Sequence, residues 1–424
     1  MQINDNKILR FNFNHFWLLV LGCMFSQKIT IGGEIYVGEI AALIYLILNL
    51  KSKFSIIPSL KIMFLLALTW VFVQFISDMI NQTPIITALK GQLAPVIFLI
   101  NITSLAIFVN RNKKIWWILI AGLVLGFWIN VAFVNNVFYK GNPWKWGLGN
   151  FFLLSFLFYF DMTKHKKNAS LLFFSLLFLG VSVANSARSL GLLYFFSYLY
   201  YVFFHFYAGT KTMQVMAKNK NISLISLFLI LMLSLFALDG VMSAVFSSDW
   251  LLSQLSADDA AKYKSQANSE LGMILAGRSE LLISLTAFYD APLFGHGSWA
   301  ESSKYTYQYI AMMFEYSNTG RSFQSMLNAS SSNLIPTHSY LMSAIVWGGF
   351  FAGIFWFYML CKLYKELVVG NSHQSILKSY LIFLTIWNIL FSPFGADARW
   401  MSAIFLVIVF FVPLNYINRK FSET

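Results

Sequence analysis

Apolar residues along the chain arrive in blocks of roughly 17 to 25 positions separated by short polar breaks. Neither the alternation of a half-buried strand nor the stripe of a surface helix gives that pattern. A helix needs about 20 apolar residues to cross roughly 30 Å of hydrocarbon, and it satisfies its own backbone hydrogen bonds where no water can. The pattern predicts an all-α, polytopic membrane protein of about 12 transmembrane helices, near residues 13–31, 34–50, 60–80, 91–109, 115–133, 148–161, 169–185, 188–208, 222–238, 336–361, 376–392 and 399–416.

One interval breaks the rhythm. Residues 239–335 form a polar segment of 97 positions between the ninth and tenth spans, and a loop of that length usually has a function of its own. The chain therefore divides into 1–238 with helices one to nine, a large partly helical loop subdomain at 239–335, and 336–424 with helices ten to twelve and a tail. Within the loop, Asn268 to Tyr289 has leucines near a 3.6-residue period and predicts a helix that ends at Pro292 and the Gly295-His296-Gly297 turn. Leu251 to Lys264 predicts another. Asn318 to Asn333, rich in Ser and Asn, has the composition of a lid, and Trp144 and Trp146 in the shorter segment Asn135 to Gly149 suit a membrane interface.

Composition agrees: 58% of the 424 residues are hydrophobic and 11% charged. A net charge of +13 would fit a nucleic-acid binder, but its distribution points to topology instead. With the N-terminus inside, nineteen of the thirty Lys and Arg residues fall on inner segments, Lys51, Arg111, Lys164 and Lys362 among them. Both termini are then cytoplasmic, and the long loop is outside with a net charge of −4. Residues 11–27 read as an uncleaved first helix, because the alternation of charge requires that span. Cys23 and Cys361 fall at opposite ends of their spans, so no disulfide is expected.

Outer-side residues supply the candidate chemistry. Arg188, in Ser186-Ala187-Arg188-Ser189, opens span eight, where both the positive-inside bias and the positive end of the helix dipole disfavour a cation. A bound phosphate would resolve both conflicts, and so would a carboxylate from the loop. Arg278 in Gly277-Arg278-Ser279-Glu280 is either a second anion ligand or a solvated charge. Arg399 starts span twelve beside Asp397, its obvious local partner. Two or three arginines converging on one outer pocket would make a diphosphate clamp. His338 follows Pro336-Thr337 in the first turn of span ten, as a proton acceptor for a sugar hydroxyl or as a cap, whereas His296 between two glycines reads as a turn residue. Ala344, Gly348 and Ala352 form one row of small residues behind His338, with Gly349 and Gly353 in the next, a pattern that lets helices approach closely. No metal-ligand spacing, P-loop or dinucleotide fingerprint is present, so no cofactor is expected.

Ser-Ala-Arg at 186–188, Gly-Arg at 277–278, Ala-Pro-Leu-Phe-Gly-His-Gly at 291–297 and His338-Ser339 ahead of Gly349 occur in that order. Together with the outer loop before a His-bearing helix, they resemble the bacterial O-antigen ligase and O-antigen polymerase superfamily of membrane glycosyltransferases. The resemblance implies inverting, metal-independent transfer of a glycan from an undecaprenyl-diphosphate carrier at the periplasmic face of the inner membrane. It assigns Arg188 and Arg278 to the diphosphate, with Arg399 a third candidate, and His338 to the acceptor hydroxyl. The implied partners are the lipid-linked glycan donor, a glycan or lipid A-core acceptor, the bilayer, and a chain-length regulator protein as a candidate; nucleic acid is not among them. The motifs do not separate polymerase from ligase, and polymerisation of O-antigen, capsule or exopolysaccharide repeat units is the leading reading. A flippase or transporter is the competing class, set against it by the off-centre outer loop and the short connection from Asp161 to Asn168.

Overall fold

The computed structural model describes residues 13–30, 33–49, 58–112, 115–133, 141–163, 168–207, 333–368 and 375–412, together with most of 239–317. The expected ninth span at 222–238, positions 318–332 of the lid and positions 135–140 lie outside the described residues. What is described is all-helical apart from one hairpin, in which β1 (Lys28–Thr30) pairs antiparallel with β2 (Glu34–Tyr36). The first half comprises α1 (Phe13–Phe25), α2 (Val37–Asn49), α3 (Pro58–Ile80), α4 (Ile85–Arg111), α5 (Trp116–Phe133), a π-helical turn (Trp144–Leu148), α6 (Gly149–Thr163), α7 (Asn168–Ala184) and α8 (Arg188–Tyr207). The outer loop supplies α9 (Asp249–Leu252), α10 (Ala257–Ala267), α11 (Glu280–Asp290) and α12 (Ser303–Ser317). The chain then continues through α13 (Tyr340–Gly348), α14 (Phe350–Val368), α15 (Ile376–Phe391) and α16 (Ala396–Phe411).

Three stretches, Leu60–Ile80 in α3, Ile85–Arg111 and Trp116–Phe133, are long and apolar enough to cross a membrane. Helix α3 shows how such a segment is solvated. Its outward side chains are large and apolar, with Leu65 64% and Phe72 63% exposed, while Gln74, Ser77 and Asp78 are buried inside the bundle. That is the reverse of a helix in water, whose polar face turns outward. Close helix approach reinforces the picture: a Cβ added to Gly22 of α1 would lie 2.5 Å from the Leu119 carbonyl oxygen, and one on Gly122 of α5 would lie 2.3 Å from that of Leu19. Glycines at such a seam let two backbones pack where no hydrophobic force drives helices together. At the centre, Trp356 meets Trp70 at 5.7 Å and Phe394 at 5.2 Å edge-on, and Phe98 at 5.5 Å and Tyr340 at 5.1 Å at a tilt, measured between ring centroids, tying α3, α4, α13 and α14 into one core.

Several elements differ from the sequence expectation. The tenth segment, expected as one helix over 336–361, is broken at Gly349 into α13 and α14. Gly349 adopts φ +76°, and the loop at 292–297 wedges into the gap. His296 N donates to Val346 O at 2.8 Å, Gly297 N to Trp347 O at 3.1 Å, and Phe350 N to Pro292 O at 2.8 Å, so the groups freed by the break find partners. The small-residue rows are interrupted there too. Within the stretch expected as one helix from Asn268, the Gly277–Ser279 turn interrupts the pattern ahead of α11, and the stretch expected at 251–264 is described as α9 up to Leu252 and α10 from Ala257.

The break makes a sharp demand on position 349. A Cβ there would lie 2.0 Å from the Leu293 carbonyl oxygen, on a left-handed backbone. Gly349→Ala should destabilise the protein by more than the roughly 1–3 kcal/mol of the backbone strain alone. Gly180→Ala, where the added carbon meets nothing within 4 Å, should leave stability level or slightly raised. Thermal midpoints in detergent, read by fluorescence-detected size exclusion, distinguish the two.

Candidate functional site

The outer lobe is fastened to the bundle through α3. Asp78 accepts from Ser298 N at 2.6 Å, Ser298 Oγ at 2.9 Å and Gln92 Nε2 at 3.1 Å, and Ser77 Oγ donates to Trp347 O at 2.6 Å. Gln74 adds a 2.7 Å bond to Ser298 Oγ. These side chains sit at i, i+3 and i+4 on one face of α3, which is why a buried polar face exists to receive the 295–298 turn. His296 is absorbed in that turn: Nε2 lies 2.8 Å from Ala287 O, and the ring meets Tyr305 edge-on at 5.5 Å.

From this fixed turn α11 and α13 project side by side. His338 does not lie in the first turn of a helix, as expected, but one residue before the N-cap of α13. Ser339 takes the cap instead, accepting from Met342 N at 3.0 Å while its hydroxyl donates to Ile389 O at 2.8 Å. The backbone ahead of a cap is extended and stands clear of the helix, so the His338 ring is 49% exposed while its anchor is buried. Its Nδ1 faces Glu280 Oε1 at 3.9 Å, and that carboxylate is 15% exposed. Tyr309 of α12 donates to the same oxygen at 2.9 Å. Ser284 Oγ lies 2.8 Å from both the Glu280 and Pro336 carbonyl oxygens, tying α11 to the segment that leads into His338.

Glu280 is the member of this cluster that sequence reasoning passes over. Two positions after Arg278 it reads as a first-turn helix acid; only packing of α11 against α13 turns it toward His338. Burial and the Glu280 carboxylate both push the Tyr309 hydroxyl above its ordinary pKa, so it stays a donor.

Two of the three candidate arginines lie against aromatic rings. Arg188 opens α8 and donates from Nη2 to Gln266 Oε1 at 2.6 Å; its guanidinium lies 4.7 Å from the Tyr263 ring centroid and 5.9 Å from that of Phe246. The partner is an amide in an aromatic cage, not the loop carboxylate that was one of the expected alternatives. Its Nη1 is buried and has no hydrogen-bond partner among the described residues. Arg278 sits over the Trp387 ring at 5.7 Å, and its charge acts unfavourably on Arg188. Burial pushes the Arg278 pKa below its ordinary value, with Glu280 opposing. Arginine does not give up its proton in a protein, so both guanidiniums stay charged. Arg188 and Arg278 each keep a largely buried guanidinium against aromatic rings, and a bound anion would offset that burial.

Arg399 is committed elsewhere. Its Nε and Nη2 each bond Glu39 at 2.7 Å, and Glu39 also accepts from Asn101 Nδ2 at 3.0 Å and Tyr36 N at 3.1 Å. Asp397, its expected local partner, instead pairs with Lys28 at 3.3 Å and accepts from the Tyr36 hydroxyl. Glu39 and Arg399 stand 360 positions apart, and nothing local in the sequence announces the pair. Among the described residues no group of three or more His, Cys, Asp or Glu side chains is arranged to hold a metal ion. The chain matches no protein-family model, no curated protein and no solved structure.

Breaking the Glu39–Arg399 pair strands a buried charge. Arg399→Ala should destabilise the protein by about 3–5 kcal/mol, whereas replacing both partners with apolar residues of similar volume should cost much less. Thermal unfolding in detergent or nanodiscs of the two single variants and the double variant measures the difference.

Proposed function

We propose that this chain is a multi-pass glycosyltransferase of the bacterial inner membrane that polymerises lipid-linked glycan repeat units at the periplasmic face. It crosses the bilayer about twelve times with both termini in the cytoplasm. The inverted polarity of α3, the apolar helices α4 and α5 and the inner bias of Lys and Arg support that topology. One observation carries the reading: the exposed His338 ring faces the Glu280 carboxylate at 3.9 Å, and Arg278, two residues before that carboxylate, holds a buried positive charge that acts on Arg188.

The parts divide the work in a balanced way. The acceptor hydroxyl oxygen bonds to the anomeric carbon of the donor sugar. The carbon–oxygen bond to undecaprenyl diphosphate breaks, and its electron pair leaves with the diphosphate. The hydroxyl proton passes to the His338 imidazole, and the two guanidiniums balance the charge that develops on the leaving group. Attack from the side opposite the diphosphate inverts the anomeric centre. Donor and acceptor enter already activated, so the step draws on no nucleotide.

A deletion strain complemented with wild type, His338→Ala or Arg278→Ala tests this, with membrane levels of each protein checked. Each variant should lower polymer formation by about 10²-fold, the usual size of one lost base or one lost charge-stabilising donor. Single repeat units on lipid A core identify a polymerase. Polymer accumulating on the lipid carrier would transfer the reading to a ligase, and full complementation by both variants would refute glycan transfer at this site.

A further inference from the structure

We infer that Glu280 is a positioning residue for His338: it holds the proton of the imidazole on Nδ1 and leaves Nε2 as the basic nitrogen facing the acceptor hydroxyl. The inference rests on the glycan-transfer reading for its consequence, though not for its geometry.

Three observations meet at this carboxylate. The Nδ1-to-Oε1 separation of 3.9 Å is within ion-pair range but longer than a formed hydrogen bond, and such bonds are often long before substrate binds. Glu280 is largely buried and His338 half exposed, so the carboxylate lies behind the ring with the open side left to substrate. Tyr309, donating to the same Oε1 at 2.9 Å, fixes that oxygen, and Ser284 bridges the Glu280 and Pro336 carbonyls from the same turn of α11. Both sides of the pair are therefore held by their own neighbours. Without the carboxylate, a neutral imidazole on an exposed pre-helix residue would divide its proton between the two nitrogens, and the ring would turn. With it, one tautomer and one orientation are selected.

Glu280 also lies between two cationic functions. It eases the burial of Arg278 two residues earlier, and it would stabilise the imidazolium formed when His338 takes the acceptor proton. Through one carboxylate the leaving-group side and the acceptor side of the reaction are electrostatically linked. Tyr309 keeps Glu280 in register and does not reach His338 through any bond of its own.

Glu280→Gln keeps the shape and can still accept from Tyr309, so it removes the charge with little disturbance of the fold. The tautomer of His338 is read from ring-nitrogen chemical shifts in nanodisc-embedded protein carrying nitrogen-15 histidine, assigned by comparison with His338→Ala. Wild type should show the proton on Nδ1, and Glu280→Gln should shift it toward Nε2 or mix the two; Glu280→Asp should retain part of the preference. In membranes, Glu280→Gln should lower polymer formation by about tenfold to hundredfold, part of a general base's contribution. The double variant Glu280→Gln, His338→Ala should be no worse than His338→Ala alone. An unchanged tautomer in Glu280→Gln, or losses that simply multiply in the double variant, would overturn the inference. If the tautomer shifts while His338→Ala polymerises at the wild-type level, Glu280 still positions His338 and it is the glycan-transfer reading that fails.

Discussion

Everything on the outer face depends on how the chain pays for a broken helix at Gly349. A break between Gly348 and Phe350 frees carbonyls in a fully buried stretch, and an unpaired backbone group away from water costs as much as a lost hydrogen bond or more. The loop at 292–297 meets that demand amide by carbonyl, and it stays in place because Ser77, Asp78 and Gln74 of α3 bind it from the other side. One constraint thus fixes three things. It sets the direction of α13, hence where His338 stands. It holds the segment that follows directly on α11, which ends at Asp290, and hence sets where Glu280 faces. It also anchors the outer lobe to an apolar helix of the bundle.

That dependence explains which features were legible in the sequence. Span-length apolar blocks marked α3, α4 and α5 because solvation by hydrocarbon acts on every residue of the block. The Gly295-His296-Gly297 turn was legible because glycine punctuates, yet its role was not, since nothing local says that its amides serve Val346 and Trp347 some 50 residues later. Gly349 stood in a row of small residues that fits a tight helix seam equally well. Only the approach of the Leu293 carbonyl decides in favour of a break, and that approach is tertiary.

Charge pairing shows the same division. The sequence offered Arg188 and Arg278 as anion ligands and Arg399, beside Asp397, as a third candidate. Folding separates them by what they find. Arg399 meets a carboxylate with matching fork geometry, and the remaining Glu39 acceptor capacity is taken by Asn101 and Tyr36, so this charge is balanced where it lies. Arg188 finds an amide and two aromatic rings, which accommodate a guanidinium without neutralising it. Arg278 finds an indole face and a carboxylate that also serves His338.

The contrast between an arginine held in a bidentate ion pair and two held against aromatic rings is a physical criterion for where an anion would bind. Burying a cation without a full counter-charge is expensive, and the charges of Arg278 and Arg188 act unfavourably on each other. A bound anion would offset that effect. A site of this kind binds weakly charged ligands poorly and gains most from a leaving group whose charge grows as its bond breaks, because the compensating dipoles and charges are already in position.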